Sequence, residues 1–557
     1  MSSAALLMLS ASTGLASAGQ PSPWTCPSGV WAFTGGAPNH PSLTHRPFPN
    51  IAAPRWALSS DQDGNSIRWV WQSSPVVTPD LVLAVGFVSA PSQPPNRPFV
   101  FAISRDTGLI EWSAAISPIS IQQFFQSSQS SLCIDVRNNA VVAVLGTKVT
   151  ALRLSDGDQM WQATLPRNII NATPVMTDDL GPRDRLYITD YDAASGGGSL
   201  YCINVDKHCP VTNPWDRGDV VWTAPIFGAS GNTPAYLPRR KGGCDRLVVA
   251  SAGHFGQAPG RVYAFPTGTD VAPAPLWTTT NVLPSGFFGG VNLVVRGPSG
   301  GMEVLAASYE FYGGLFSANM LRMDAASGAV LGAAMINRSS AIPVLIANRL
   351  IATTGGIESA FNLGDTVPTL SLYDVDLLDP PATPTIGSQV WNSALSTWVD
   401  LDFDGVIDPG EYFNIGGYTH QPVVSTWRGR NTMAVGSFAT GDNPAASNLL
   451  TVVDLDVDPS NPSFVQQFVA GAGGSPAVAG PNLYSIGLAG LTAYGPEPER
   501  FDVDSDKLIN SGDIAKWERG QGSRDINDDG SVTTGDRDAL VTLLRAGEVS
   551  DMLEGRK

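Results

Sequence analysis

Two stretches of the chain, AISRDTGLIEW (residues 102–112) and ALRLSDGDQMW (residues 151–161), share one pattern. Each begins with Ala, passes through a Thr-Gly or Asp-Gly pair, and places Trp four residues after the Gly. Glycine supplies the positive φ that a tight turn requires, and the alternating residues on both sides are typical of strands. The pattern predicts strand, turn and strand, with the Trp packing on a neighbouring unit.

Weaker copies of this pattern occur further along the chain. RMDAASGAVLG (residues 322–332) keeps the Ser-Gly turn but has Gly332 at the Trp position. Looser copies end at Trp222, Trp277 and Trp391. Self-similarity of this kind predicts a repeat architecture.

A second marker precedes segments of alternating apolar residues. It consists of a small or polar residue, then Pro, then an apolar residue. The copies are Ser74-Pro75-Val76, Thr173-Pro174-Val175, Thr233-Pro234-Ala235, Ile342-Pro343-Val344, Gln421-Pro422-Val423 and Ser475-Pro476-Ala477. Proline is tolerated there because the first residue of a strand can lack its ladder donor. The two longest intervals each hide one more unit, so we expect eight units, starting near residues 74, 131, 172, 233, 290, 342, 421 and 475.

The last unit has only three strands before Gly495, whereas APRWALSS around Trp56 is a strand without a unit. Together these segments would form one composite blade and close the ring. A closed ring leaves no exposed sheet edge. A ring of seven blades is the alternative, if two weak units merge.

The composition agrees with an all-β fold. The 557 residues are 43% apolar and 15% charged, with 58 Gly and 43 Pro, which suits short strands joined by tight turns. The net charge of -17 argues against a nucleic-acid partner. No segment is long and apolar enough for a membrane span.

Residues 54–495 resemble the tryptophan-docking repeats of the pyrroloquinoline-quinone (PQQ) repeat propellers, and this resemblance implies an eight-bladed β-propeller. That superfamily includes quinoprotein alcohol dehydrogenases and also non-catalytic outer-membrane assembly and scaffold proteins. The dehydrogenases would be expected to have adjacent cysteines at the quinone, a catalytic Asp and a central calcium. No two of the five cysteines are adjacent (Cys26, Cys133, Cys202, Cys209 and Cys244).

We therefore expect a non-catalytic propeller that binds a protein or glycan, and we assign no catalytic residue. Two enzyme alternatives stay open: a PQQ-dependent dehydrogenase and a carbohydrate-active propeller. The second stays open because the separation of paired glycosidase carboxylates is set by the fold and not by sequence spacing.

The C-terminal part contains two calcium-loop patterns, DVDSDKLINSGD and DINDDGSVTTGD. Calcium takes six to eight oxygen ligands, from loop positions 1, 3, 5, 7, 9 and 12. The predicted ligands are Asp502, Asp504, Asp506, the Leu508 carbonyl, Asn510 and Asp513 in the first loop, and Asp525, Asn527, Asp529, the Ser531 carbonyl, Thr533 and Asp536 in the second. Lys507 stands where Gly is usual, so we expect weaker binding by the first loop.

These duplicated loops, each followed by a short apolar segment, resemble a type I dockerin over residues 501–548. The resemblance implies a loop-helix pair that folds around calcium and binds a cohesin, often in polysaccharide breakdown. A calcium-stapled tail without a partner is the alternative.

A third pattern, DLDFDGVIDPGE, lies inside the propeller at residues 400–411. Its predicted calcium ligands are Asp400, Asp402, Asp404, the Val406 carbonyl, Asp408 and Glu411. Because it has no partner loop, we interpret it as a structural staple within a long insertion.

The opening residues end an apolar run with Ala16-Ser17-Ala18, which predicts a secretory signal and an extracellular or cell-surface location. Cys202 and Cys209 are close enough in sequence to close a small disulfide loop. The predicted organisation is a signal peptide at 1–18, an N-terminal extension at 19–53, a propeller at 54–495, a linker at 496–500, a dockerin-like domain at 501–548 and a tail at 549–557.

Overall fold

The computed structural model describes residues 29–51, 54–70, 73–89, 98–116, 130–169, 171–190, 197–227, 232–238, 247–253, 259–296, 301–310, 315–357, 367–403, 405, 411–417, 419–427, 429–437, 448–471, 473–487, 490–495, 511–520 and 532–545. Eight sheets account for the strands in these ranges. We number the sheets as blades 1 to 8 in chain order.

Blade 1 contains Ser66–Trp69, Val76–Val77, Leu81–Ser89, Pro98–Ser104 and Ile110–Ala115, and blade 2 contains Cys133–Asp135, Ala140–Arg153 and Gln159–Ile169. Blade 3 contains Val175–Met176, Arg185–Thr189, Gly197–Asn204 and Val220–Phe227, and blade 4 contains Ala235–Leu237, Leu247–Ala252, Arg261–Pro266 and Trp277–Thr280. Blade 5 contains Val291–Arg296, Gly301–Ala307, Ala318–Asp324 and Val330–Ile336, and blade 6 contains Val344–Ile346, Leu350–Ile357, Val367–Asp374 and Gln389–Asn392.

Blade 7 contains Val423–Trp427, Arg430–Gly436, Leu449–Asp454 and Val465–Val469, with Leu43–Thr44 paired in parallel to its first strand. Blade 8 contains Ala477–Ala479, Asn482–Gly487, Gly490–Tyr494 and Trp56–Leu58. The helices among the residues described above are α1 (Ser393–Thr397), α2 (Ser511–Glu518) and α3 (Thr534–Arg545), with 3-10 turns at Val375–Leu377 and Pro462–Phe464.

The blade count follows the sequence markers. All eight predicted unit starts fall within three residues of the beginning of a blade's first axial strand, from Val76–Val77 in blade 1 to Ala477–Ala479 in blade 8. The eight-bladed prediction is confirmed, and the seven-bladed alternative is wrong.

Ring closure uses the N-terminal strand that the sequence left without a unit. Trp56–Leu58 pairs antiparallel with Gly490–Tyr494, and Trp56 lies opposite Ala493. This confirms the composite blade. Two strands that are far apart in sequence thus complete one sheet, so the ring has no open edge where it closes.

The repeat tryptophans join adjacent blades. The indole N–H of Trp112 in blade 1 donates to the Leu154 carbonyl of blade 2 at 2.9 Å. Its ring packs on Gly157, where a Cβ would come within 2.5 Å of the ring, and Gly157 has a φ of +76°. The glycine therefore serves both the turn and the close approach of the ring. Two further pairs have the same arrangement: Trp56 with Gly108, and Trp277 with Gly328.

Blade 5 departs from this pattern because Gly332 takes the tryptophan position. A Cβ at Gly332 would come within 2.9 Å of the Leu378 side chain, which follows the third strand of blade 6. A side chain of the next blade therefore occupies the space that a tryptophan fills elsewhere.

Ser and Thr residues at the beginnings of successive units form a chain of hydrogen bonds around the axis. The Ser74 amide donates to Ser131 Oγ at 2.8 Å, and the Ser131 amide donates to Thr173 Oγ1 at 3.0 Å. The Thr173 amide donates in turn to Thr233 Oγ1 at 3.0 Å. Each hydroxyl therefore ties its blade to the previous one.

The predicted Cys202–Cys209 bridge is wrong, since both residues are free thiols. Cys202 is fully buried in the core between blades 3 and 4, and burial raises its pKa to about 12. Cys26 and Cys244 lie outside the described residues. Within the described ranges, no helix has both the length and the apolar character that crossing a membrane would need.

Candidate ligand and metal sites

The N-terminal residues 29–46, which we call the axial segment, run through the centre of the ring. Their backbone bonds with one blade after another in chain order. These contacts are Trp31 with Val77 of blade 1, Ala32 with Ile134 of blade 2, Pro38 with Tyr236 of blade 4, Asn39 with Leu293 of blade 5 and Ser42 with Val424 of blade 7.

No side chain of the axial segment is exposed, and those of residues 31–33, 39, 40 and 42 are buried. Trp31 and Asn39 are at most 3% exposed, and His40 is fully buried. The His40 ring nitrogens lie 2.6 Å from the Thr34 carbonyl oxygen and 2.8 Å from the Pro234 carbonyl oxygen. Burial lowers the pKa of His40, and these two hydrogen bonds oppose that effect. The segment is therefore an integral part of the centre.

The axial segment leaves a cavity of about 40 Å³ on the propeller axis. Its lining comes from all eight blades and from Thr34, and it contains hydroxyl, amide and apolar groups but no charged side chain. Four lining oxygens are buried without a protein partner: Thr34 Oγ1, Asn171 Oδ1, Thr419 Oγ1 and Gln421 Oε1. The size and polarity of this cavity suit ordered water.

A quinone cofactor does not fit this cavity. Organic ligands of that size occupy pockets of roughly 300 Å³ or more, whereas the axial cavity has about 40 Å³. A carboxylated quinone also needs cationic partners, and the described lining offers none. The expected adjacent cysteines are missing from the sequence.

A cluster of carboxylates lies in the insertion between blades 6 and 7. Oxygen atoms of Asp400, Asp402 and Glu411 lie within 4.8 Å of one another. Glu411 is buried, and its two carboxylate oxygens accept from the Trp398 indole N–H at 2.9 Å and the Leu401 amide at 2.6 Å. These bonds hold the last predicted ligand of the loop beside the first two.

Gly405 stands at the predicted sharp turn of this loop. Gly405 has a φ of +78°, and its amide donates to Asp400 Oδ2 at 3.1 Å. Asp400 Oδ1 is buried without a hydrogen-bond donor. A buried carboxylate oxygen is costly unless a donor or a cation compensates it, and calcium prefers such oxygens. Asp404, Val406 and Asp408 lie outside the described residues.

Most predicted ligands of the C-terminal loops also lie outside the described residues: Asp502, Asp504, Asp506, Leu508, Asn510, Asp525, Asn527, Asp529 and Ser531. A helix follows each loop, with Asp513 inside α2 and Asp536 in the first turn of α3. Asp536 is fully buried, and its Oδ2 accepts from the Thr533 amide at 2.6 Å. Arg537 donates to Glu518 at 2.7 Å and joins the two helices. Calcium binding here stays a prediction.

Comparison with known proteins agrees with the repeat markers. Residues 52–265 match the family model described as outer membrane protein assembly factor BamB. This match covers less than half of the chain and is a similarity to that family over the first blades. A quinohemoprotein alcohol dehydrogenase from Pseudomonas putida aligns with 95% of this chain and 96% of its own, at 12% identity and a TM-score of 0.51. This likeness shows the propeller fold alone.

BamB from Moraxella catarrhalis aligns with 80% of this chain and 98% of its own, at 15% identity and a TM-score of 0.44. A search among curated proteins finds no significant sequence match.

Proposed function

We propose that the PQQ-like propeller is a secreted, non-catalytic scaffold that binds a protein or glycan. Its C-terminal dockerin-like module would attach it, in the presence of calcium, to a cohesin-bearing complex or cell surface. Polysaccharide breakdown is the process in which such an attachment would serve.

The filled axis is the observation that carries the non-catalytic part of this proposal. The axial segment bonds with five blades and leaves about 40 Å³, whereas organic ligands of quinone size occupy roughly 300 Å³ or more. The matching family model is named for an assembly factor, which supports a binding role. The outer surfaces of the blades are then the surfaces available to a macromolecular partner.

A quinone titration tests this part. The full-length protein is mixed with PQQ and calcium, and quinone binding and dye-linked oxidation of alcohols and sugars are measured beside an authentic quinoprotein dehydrogenase. We expect no saturable binding and no oxidation. Oxidation that depends on added PQQ would establish the dehydrogenase alternative, and release of reducing sugar from polysaccharides would establish the carbohydrate-active one.

A cohesin-binding assay tests the attachment. Full-length protein is passed over immobilised type I cohesin domains with calcium and then with a chelator. We expect calcium-dependent binding that Asp525→Asn abolishes, because this residue supplies the first ligand of the better loop. Asp400→Asn is the matched control, since it alters the propeller loop only. Calcium uptake by the C-terminal loops without binding to any cohesin would favour the stapled tail.

A further inference from the structure

Blade 6 and the insertion after it are unusually acidic. Residues 350–427 contain ten Asp and Glu and no Lys or Arg. The acidic residues are Glu358, Asp365, Asp374, Asp376, Asp379, Asp400, Asp402, Asp404, Asp408 and Glu411. This segment therefore carries -10 of the net charge of -17. Arg296 and Arg349, which lie outside the segment, pair with Asp376 and Asp374, and the negative charge that remains attracts cationic partners.

The same insertion exposes several large apolar side chains. We define the hairpin patch as Leu395, Val399, Leu401, Phe403 and Phe413, which are 41%, 59%, 65%, 89% and 44% exposed. Five such residues within a span of nineteen differ from the single exposed apolar residues that are normal on protein surfaces. The carboxylates of the metal cluster, Asp400 and Glu411 among them, lie in the same span.

The hairpin patch is held in place by the opposite face of the insertion. The Val399 amide donates to the Glu411 carbonyl at 2.8 Å, and the Phe413 amide donates to Thr397 Oγ1 at 2.8 Å. Trp398 and Tyr412, which directly precede Val399 and Phe413, pack inward. On each arm, the residue that precedes an exposed apolar side chain thus packs inward, and these contacts hold Val399 and Phe413 in position without a partner.

We propose that the hairpin patch docks a basic, amphipathic segment of a partner protein. Apolar residues of that segment would cover Leu401 and Phe403, while its Lys or Arg side chains would meet the surrounding carboxylates. A calcium ion in the loop would contribute +2 against the -3 of Asp400, Asp402 and Glu411, so the described carboxylate cluster keeps a net negative charge. The same charge repels an anionic membrane. This inference rests on the proposed binding role of the propeller.

A peptide-binding measurement on the full-length protein tests the proposal. The probes are a fluorescent 14-residue amphipathic Leu–Lys peptide and its Leu–Glu counterpart, at physiological salt with calcium. We expect saturable binding of the Leu–Lys peptide and none of the Leu–Glu peptide. The affinity for the Leu–Lys peptide should be at least tenfold lower in the Leu401→Ser/Phe403→Ser variant than in wild type. The matched control is Val211→Ser/Val271→Ser, which removes two apolar residues that are 91% and 73% exposed on blades 3 and 4. The single variant Phe403→Ser is measured as well, because this side chain is 89% exposed and its replacement should leave the fold intact.

Equal binding of the Leu–Lys peptide by the patch and control variants would overturn the proposal, as would binding of the Leu–Glu peptide. Patch-dependent binding to anionic vesicles, without peptide binding, would overturn it in favour of a membrane. If the peptide fails to bind while cohesin binding and quinone exclusion are observed, the docking surface is wrong and the proposed function stands.

Discussion

Single residues join the blades of this propeller, and Gly157 illustrates how. The turn requires a positive φ at this position, and the Trp112 ring lies where a Cβ would be. The two requirements are independent, yet one residue type meets both. Any other residue at this position would strain the turn and displace the tryptophan of the preceding blade.

We expect Trp277→Ala to destabilise the propeller by about 3–5 kcal/mol, because it empties the contact with Gly328 and removes the hydrogen bond to the Ala325 carbonyl. Trp277→Phe keeps much of the ring contact but loses the N–H, so it should cost less, with about 1 kcal/mol for the hydrogen bond. Urea unfolding of the two variants measures the difference. Equal losses would show that ring packing contributes little.

Burial of His420 predicts an acid-sensitive contribution to stability. Burial lowers the pKa of His420 to about 4, whereas an unfolded histidine titrates near 6.5. As pH falls from about 6.5 to about 4, the unfolded state takes up a proton that the folded state refuses, so stability falls. Replacing His420 by Gln removes this pH-dependent loss of stability. The difference in urea midpoint between wild type and variant should therefore narrow as the pH falls from about 6.5 to about 4.

Gln421→Ala provides the control for this measurement, since it alters a neighbouring buried side chain that does not titrate. Its gap to wild type should not change with pH. A His420→Gln gap that is constant between pH 7.5 and 4.5 would contradict the prediction.

At the scale of elements, the insertion after blade 6 is a hairpin organised by carboxylates. Glu411 joins the two arms through Trp398 and Leu401, and Asp400 holds the turn through Gly405. Both arms therefore depend on groups that also suit a calcium ion.

Glu411→Gln should lower the calcium stoichiometry of the full-length protein by one site. The amide oxygen can still accept one hydrogen bond, but the negative charge that favours calcium is lost. Calcium at 100 times its Kd should stabilise wild type by about 2.7 kcal/mol more than the variant. Calorimetric titration and thermal unfolding with and without chelator measure both effects. Asp379→Asn, outside the carboxylate cluster, is the control, and an unchanged stoichiometry in Glu411→Gln would exclude the site.

At the scale of the whole molecule, stability depends on the seam between blades 8 and 1. Arg105, only 7% exposed, donates from Nε to the Tyr484 hydroxyl at 3.0 Å and from Nη2 to the Ala479 carbonyl at 2.9 Å. Its Nη1 donates to the carbonyls of Gly29, Thr78 and Pro79. One guanidinium thus joins the first blade, the last blade and the beginning of the axial segment.

We expect Arg105→Met to weaken the seam by at least 3 kcal/mol, because it leaves several buried acceptors without a donor at about 1–3 kcal/mol each. Arg105→Lys should recover little, since an ammonium cannot match the guanidinium fork. Thermal unfolding and limited proteolysis measure the loss. The control is Arg153→Met, on an exposed turn of blade 2, which should change neither the unfolding temperature nor the rate of proteolysis. Wild-type stability in Arg105→Met would show that the paired strands alone hold the seam.

The repeat markers predicted the eight blades, the composite blade and the tryptophan contacts because each depends on local turn chemistry and strand alternation. The pattern at residues 400–411 likewise predicted Asp400, Asp402 and Glu411, whose spacing around one turn brings them together. The axial segment was not predicted as a filling of the channel. WAFTGGAPNH has no repeat, and its backbone bonds to the blades join residues about 45 to 255 positions apart.

The sequence by itself determined where the repeat units begin and which tryptophans and glycines join adjacent blades, since these follow from short-range periodicity and from glycine φ. The tertiary structure decided between seven and eight blades. Only the tertiary structure decided what lies on the axis, which thiols stay apart and which apolar side chains remain exposed. These properties depend on how distant segments share a limited volume: the axial segment fills the centre, Cys202 points into a core, and the hairpin patch faces outward because Trp398 and Tyr412 take the inner face.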